Sequence, residues 1–267
     1  MSTPPPRGPA TTLPTGLAAT AARCSGARVP LLAVAHGTRD PAGLAATAAL
    51  LDMVRALRPG LPVELGYVDV AAPLLADTLA RLAGPVVVVP LLLGAGYHVR
   101  EDIPAALAAA PRVTARVADV LGPDPRLAAI LHERLTAAWC AGTPKPADDA
   151  LPAQCEAIVL AAAGSTDPSA NADAAEMAVL LRDLTGRTVV PSYLCASSPT
   201  PAEAVAALRA DGVRDVAVSG YLMTPGHFAR KAAASGATAT SAPLGAHPAL
   251  ARVVLDRYDT ALRAWPP

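Results

Sequence analysis

From residue 28 onward, short apolar runs alternate with longer Ala- and Leu-rich stretches, and small polar loops separate the two kinds of segment. Such alternation predicts βαβ units, in which helices cross over between parallel strands. The first unit is a buried strand over 29–35, a loop over 36–41 and a helix over 43–57. A second strand over 63–68 leads to a helix over 71–82, with Pro73 near its first turn, where a missing N–H costs little. The third strand covers 86–92, after which Asp102 is expected to cap a short helix carrying Pro104 in its first turn. A strand over 112–117 and a helix over 126–139 complete a four-stranded α/β half. The aperiodic, Pro- and Asp-rich stretch 142–154 reads as a linker.

The same order then returns, with strands over 157–162, 188–194, 215–221 and 237–241 and helices over 171–184, 201–210, 228–234 and 247–264. Residue matches support a duplication. AVAHGTRDP at 33–41 lies over LAAAGSTDP at 160–168, aligning Gly37 with Gly164, Asp40 with Asp167 and Pro41 with Pro168. PLLLGAGYHVR at 90–100 lies over GYLMTPGHFAR at 220–230, so that His98 faces His227, whereas His36 faces Ala163. The expected organisation is a disordered tail over 1–27, one α/β domain over 28–141, a linker over 142–154 and a degenerate second domain over 155–267. Each α/β domain should contain a four-stranded parallel sheet flanked by helices.

Composition narrows the function. Lys+Arg and Asp+Glu both number 22 in 267 residues, so the chain lacks the electrostatic footprint of a nucleic-acid or anionic-membrane binder. Hydrophobic residues reach 52%, yet the richest apolar stretch, 86–97, is interrupted by Pro90 and falls short of the ~18 residues a membrane span needs. Cys24, Cys140, Cys155 and Cys195 form no CxxC pair and read as reduced packing residues. The first residues lack a continuous apolar segment of the secretory kind, and the expected location is the cytoplasm.

In open parallel sheets, ligands bind beyond the carboxyl ends of the strands. Three such ends carry polar side chains in the first half: His36, Asp69 and His98, the last in a Gly-rich loop with Gly94 and Gly96. Two imidazoles and a carboxylate suit a divalent transition metal such as cobalt, nickel or iron, and such a set leaves coordination positions open. A lone strand-end histidine is more often a hydrogen-bonded loop residue, and Asp69 also suits a local helix cap. It is the joint occurrence at successive strand ends that points to a metal site.

The segments AHGTRDP with His36, DVAAPLLADTL with Asp69 and PLLLGAGYHVREDIP with His98 resemble the class II chelatases that act on sirohydrochlorin, in their long two-domain form. The resemblance implies two tandem Rossmann-like (chelatase-like) α/β domains around a cleft. It further implies insertion of cobalt or ferrous iron, with the metal as substrate and no organic cofactor, for cobalamin or siroheme synthesis. It places metal binding and catalysis on His36 and His98, with the acidic residue at Asp69, where Asp replaces the family's usual Glu. Thr38 stands where the family commonly has Ser. Thr38, Gly94, Tyr97 and Arg100 are candidates to touch the tetrapyrrole, and Arg39, Arg230 and Lys231 are further cationic candidates for its carboxylates. His227 reads as a relic of the duplication without catalysis, His132 and His247 as structural, and Asp167 and Ser165 as caps of the following helix. A histidine phosphatase is disfavoured because Ala35 stands where such enzymes carry an arginine before the histidine, while a non-catalytic tetrapyrrole or metal carrier uses the same residues. The expected partner is sirohydrochlorin, with neither nucleic acid nor membrane, and the expected assembly is a monomer or homodimer.

Overall fold

The structure, a computed structural model, describes residues 28–140 and 151–265. The expected tail over 1–27 and most of the expected linker lie outside these residues. The first half runs β1 (Leu31–Ala35), α1 (Pro41–Leu57), β2 (Val63–Tyr67), α2 (Leu75–Arg81), β3 (Gly84–Pro90), a π-helical turn (His98–Asp102), α3 (Ile103–Ala108), β4 (Val113–Val117) and α4 (Pro125–Trp139). The second runs β5 (Ala157–Ala162), α5 (Pro168–Thr185), β6 (Thr188–Tyr193), α6 (Pro201–Ala210), β7 (Val216–Tyr221), α7 (His227–Ala233), β8 (Ala239–Thr240) and α8 (Pro248–Arg263). Two parallel four-stranded sheets result, in the orders β2-β1-β3-β4 and β6-β5-β7-β8, so the α/β fold read from the sequence is the one that forms.

The central strands are buried on both faces, and alternate residues divide between two cores. Leu31, Ala33, Val87 and Val89 of the first sheet share one continuous core with Ile158 and Leu160 of the second. Leu32, Val34, Val86 and Val88 instead face α2 and α3, while Val159, Val216 and Val218 pack toward α6 and α7. α1 and α5 open in the same way, each with a capping aspartate and a proline in the first turn. Asp40 Oδ1 accepts from the Ala42 amide at 3.1 Å, and Asp167 Oδ1 from the Ser169 amide at 2.9 Å.

The two halves exchange their last helices. α4 packs on β7, β8 and α5, whereas α8 packs on β3, β4 and α1. Polar contacts fasten the exchange. Arg58, just past the end of α1, forms a two-pronged pair with Asp259 on α8, and Arg126 on α4 pairs with Asp256. Asp124, the cap of α4, takes hydrogen bonds from both Arg126 and Arg257, and Tyr258 donates its hydroxyl to the Val29 carbonyl at 2.6 Å.

Two expected elements differ near the ends of β2 and β3. The helix expected over 71–82 begins only at Leu75, because the Pro73 carbonyl accepts from the Tyr67 amide at 2.9 Å and Leu74 pairs with Tyr67, extending the sheet edge. Val70 adopts φ 54°, with the Ala71 amide bonded to the Asp69 carbonyl across it at 2.7 Å, so the chain turns where a helix was expected. Asp102 makes no capping hydrogen bond: it has helical φ and ψ and its carboxylate is turned toward His98.

Candidate metal centre

β1 ends at Ala35, and the chain leaves the sheet through His36 and Gly37. Gly37 sits at φ 101°, and a Cβ there would lie 1.9 Å from the Asp69 carbonyl, so only glycine allows this approach. The Asp69 amide in turn donates to the His36 carbonyl at 3.0 Å. His36 is thus held by its backbone against the end of β2 while its ring is exposed. Its Nδ1 lies 3.2 Å from the Gly37 carbonyl, an acceptor, so this nitrogen carries the proton.

His98 opens the π-helical turn after β3. Its Nδ1 lies 2.6 Å from Asp102 Oδ2, and its ring meets that of His36 edge to face, 4.6 Å between centroids and 85° between planes. With each Nδ1 engaged by an oxygen, each imidazole in its neutral form presents Nε2 with a free lone pair. The turn is specific to the first half: relative to GYLMTPGHFAR, one residue, Tyr97, is inserted before the histidine, and an α-helix, α7, follows His227 directly. Single-turn π-bulges of this kind are frequent at functional sites.

A family model described as CbiX matches residues 30–138 and, separately, residues 157–261. The chain belongs to the CbiX family. It is similar to the sirohydrochlorin cobaltochelatase of Sulfurisphaera tokodaii, 36% identical over 77 residues that make up 27% of this chain and 64% of that protein. It is also similar to the sirohydrochlorin ferrochelatase of Priestia megaterium, 26% identical over 206 residues, 73% of each chain. A solved structure of SirB from Bacillus subtilis with Fe3+ has a TM-score of 0.70 at 23% identity, covering 89% of this chain and 97% of that one, a likeness of fold.

In this CbiX chain the structure brings His36 and His98 together and leaves Asp69 at the same rim with a different partner. Asp69 Oδ1 accepts from the Val70 amide at 2.7 Å, and among the described residues no three His, Cys, Asp or Glu side chains are grouped to hold a metal. Thr38 Oγ1 accepts from the Asp40 amide at 3.0 Å, and Ser165 does the same for Asp167 at the same distance, so this hydroxyl shapes the loop in both halves. Tyr97 is 61% exposed, its ring 6.3 Å from that of His98. A cleft opens beside His36, lined by Thr38, Tyr67 and Leu91 from the first half and Met223 and Thr224 from the second.

The cationic candidates divide. Arg100 reaches Asp167 at 3.3 Å and Ser169 Oγ, Arg230 reaches Asp40 at 2.6 Å, and Lys231 donates to the Leu194 carbonyl. The hydrogen bond from Arg230, followed by that from the Ala42 amide, holds the Asp40 carboxyl below its ordinary range; at Asp167 the Ser169 hydroxyl and amide do the same. Three of the four cations therefore join parts of the protein, and only Arg39 is exposed with no hydrogen bond or ion pair among the described residues.

His247 caps α8, accepting from the Ala249 amide through Nδ1 and meeting Glu133 through Nε2, and His132 is half-buried on α4. His227 is exposed at the start of α7, with Lys231 where the first half has Asp102 and Ala163 where it has His36. Replacing His227 with alanine is therefore expected to change Co2+ affinity by less than about twofold, since it lacks both the partner imidazole and the orienting carboxylate. A Co2+ titration of the variant checks this, and a tenfold loss would assign His227 to the metal site.

The residue that sequence reasoning assigned elsewhere is Asp102. Its signal was present in HVRED: in a helical turn, His and Asp four positions apart lie on one face. An aspartate just ahead of Ile-Pro equally suits a helix cap, and local sequence does not distinguish the two.

Proposed function

We propose that this CbiX chain inserts a divalent metal, Co2+ or Fe2+, into sirohydrochlorin, with His36 and His98 as its metal-donating pair, as a cytoplasmic enzyme of cobalamin or siroheme synthesis. The observation that carries this reading is the edge-to-face pair of imidazoles at the open end of a parallel sheet, each with Nδ1 engaged and Nε2 free. Relatives named as sirohydrochlorin chelatases support it. Two imidazoles leave most positions of a divalent ion open, which suits a metal that must be passed on.

For each M2+ that enters, the macrocycle loses two pyrrole N–H protons. As the metal leaves, the Nε2 lone pairs of His36 and His98 are free to take them. Asp102, bonded to the opposite nitrogen of His98, orients the ring and stabilises the imidazolium that forms. Tyr97 offers an exposed ring to the macrocycle beside His98, and Arg39 offers a free cation to its carboxylates. Arg100 holds the His98 loop to α5. The test is anaerobic turnover of sirohydrochlorin with Co2+ and with Fe2+, followed by the absorbance change of the tetrapyrrole. Acceleration over the spontaneous reaction is expected, and none with either metal would overturn the reading.

Asp102→Ala is expected to weaken Co2+ binding by about tenfold or more, the usual cost of removing a carboxylate behind a metal-binding histidine. Asp69→Asn keeps an oxygen for the Val70 amide and is expected to stay within about threefold by the same measure, because its carboxylate serves the turn. Titration of both variants with Co2+ checks the pair, and the reverse order of losses would make Asp69 a metal ligand.

A further inference from the structure

Contacts between the halves are of two kinds. Arg100 meets Asp167 at the cap of α5, and Arg230 meets Asp40 at the cap of α1. These ion pairs recur in both directions, as the duplication requires. Others run one way only. Asp173 Oδ2 on α5 accepts from the Ala95 amide at 2.9 Å, and the Tyr221 hydroxyl at the end of β7 donates to the Leu93 carbonyl at 3.1 Å. Between these two points Gly94 approaches α5 so closely that a Cβ would lie 3.3 Å from both the Ala170 carbonyl and Asp173 Oδ2.

The duplication shows what the opposite direction lacks. At the step of α1 that corresponds to Asp173 stands Ala46; the residue matching Ala95 is Pro225, which has no N–H; and the residue matching Tyr221 is Leu91. Acceptor, donor and hydroxyl are all missing from the second copy of the link. What separates the two loops chemically is that the held one leads, three residues after Ala95, into the His98 that faces His36.

We propose that Asp173 is a positioning residue for His98: together with Tyr221, it lets the second half hold the 93–96 loop so that the His98 ring stays set against His36. This rests on the reading that His98 donates to the metal. Two donors on separate loops bind one ion well only if their relative placement is fixed before binding, since freedom lost on binding weakens affinity. A carboxylate accepting from a backbone amide is a strong tether, and Tyr221, only 3% exposed, has its hydroxyl confined by burial. The second half, without a histidine pair of its own, thus completes the site of the first.

The experiment compares Asp173→Ala, Asp173→Asn and Tyr221→Phe with wild type and with His98→Ala. For Asp173→Ala, Co2+ affinity is expected to fall about tenfold, the scale for losing an outer contact of a metal ligand. The KM for metal should rise in parallel while kcat at saturating metal is retained, and amide exchange across 93–98 should quicken. Asp173→Asn keeps an oxygen acceptor for the Ala95 amide and should restore affinity to within about threefold, a neutral hydrogen bond being weaker than a charged one. Tyr221→Phe, which preserves the ring, should weaken Co2+ binding in the same direction and keeps the proposal testable if Asp173→Ala misfolds. Wild-type Co2+ affinity in both Asp173→Ala and Tyr221→Phe, or equal losses in Asp173→Ala and Asp173→Asn, would overturn it. If His98→Ala abolishes insertion while these variants behave as wild type, only the positioning role fails; if His98→Ala inserts metal normally, the underlying reading fails instead.

Discussion

His98→Ala is expected to slow metal insertion by about a hundredfold or more, and His36→Ala to do the same, because in the proposed function each substitution removes both a metal donor and a proton acceptor. The two imidazoles meet edge to face with 4.6 Å between centroids, and if both act on one ion, as proposed, their losses should not multiply. The double variant is expected to be no slower than the slower single one. Neither ring belongs to a hydrophobic core, and both occupy the open rim, so circular dichroism and the thermal midpoint should stay close to wild type. Initial rates with sirohydrochlorin and Co2+, measured for all four proteins, check the expectation. Wild-type rates in the double variant would remove both histidines from the chemistry, and multiplied losses would show that they act at separate steps.

Asp124→Ala is expected to lower stability at neutral pH by about 3 kcal/mol, the low end for breaking a buried ion pair. The low end applies because both arginines keep other partners, Arg126 on Asp256 and Arg257 on the Val120 and Leu121 carbonyls. Asp124 serves both exchanged helices: it caps α4 and accepts from Arg257 on α8. Burial alone would raise its carboxyl, but the side-chain and backbone hydrogen bonds from Arg126 and the charges of Arg126 and Arg257 outweigh burial and lower it. A carboxyl lowered in the folded state adds stability above its unfolded value, about pH 4, and that stability is lost as pH falls through the folded value. The gap between wild type and Asp124→Ala should therefore be full at pH 7 and shrink below about pH 4. Denaturant unfolding at both pH values measures it, and thermal unfolding at pH 7 should show a Tm lower by about 6 to 12 °C for a chain of this size. A gap that stays constant with pH would mean that the carboxylate's charge contributes nothing and only the cap geometry matters.

Much of the molecule was legible in one dimension. Strands appear as apolar runs because a sheet covered on both faces tolerates no polar alternation, and the runs at 157–162 and 31–35 carry that requirement in their composition alone. Repetition of the order, and of loops such as AHGTRDP and AAGSTDP, declared two sheets of one design. Because parallel strands deliver their carboxyl ends to one rim, His36 and His98 were readable as neighbours although 62 residues separate them.

Tertiary structure decided the rest, and in each case the reason is that the sequence permits two local outcomes with similar free energies. Asp102 suits a helix cap as well as an i, i+4 partner, and it is the inserted Tyr97, with the π turn it brings, that turns its carboxylate to His98. Residues 71–74 have helix-forming alanines, yet the sheet edge takes the Pro73 carbonyl and postpones the helix. α4 and α8 each pack on the sheet of the other half; their exchange follows from packing and from Asp124, Asp256 and Asp259 meeting arginines 130 or more residues away in sequence. The link from Asp173 to Ala95 spans 78 residues and involves a backbone amide, which leaves no trace in residue type. Strand, repeat and the kind of side chain at each strand end are properties of short segments, and the sequence by itself determined them. Which carboxylate orients which imidazole is a property of segments brought together, and only the folded chain decides it.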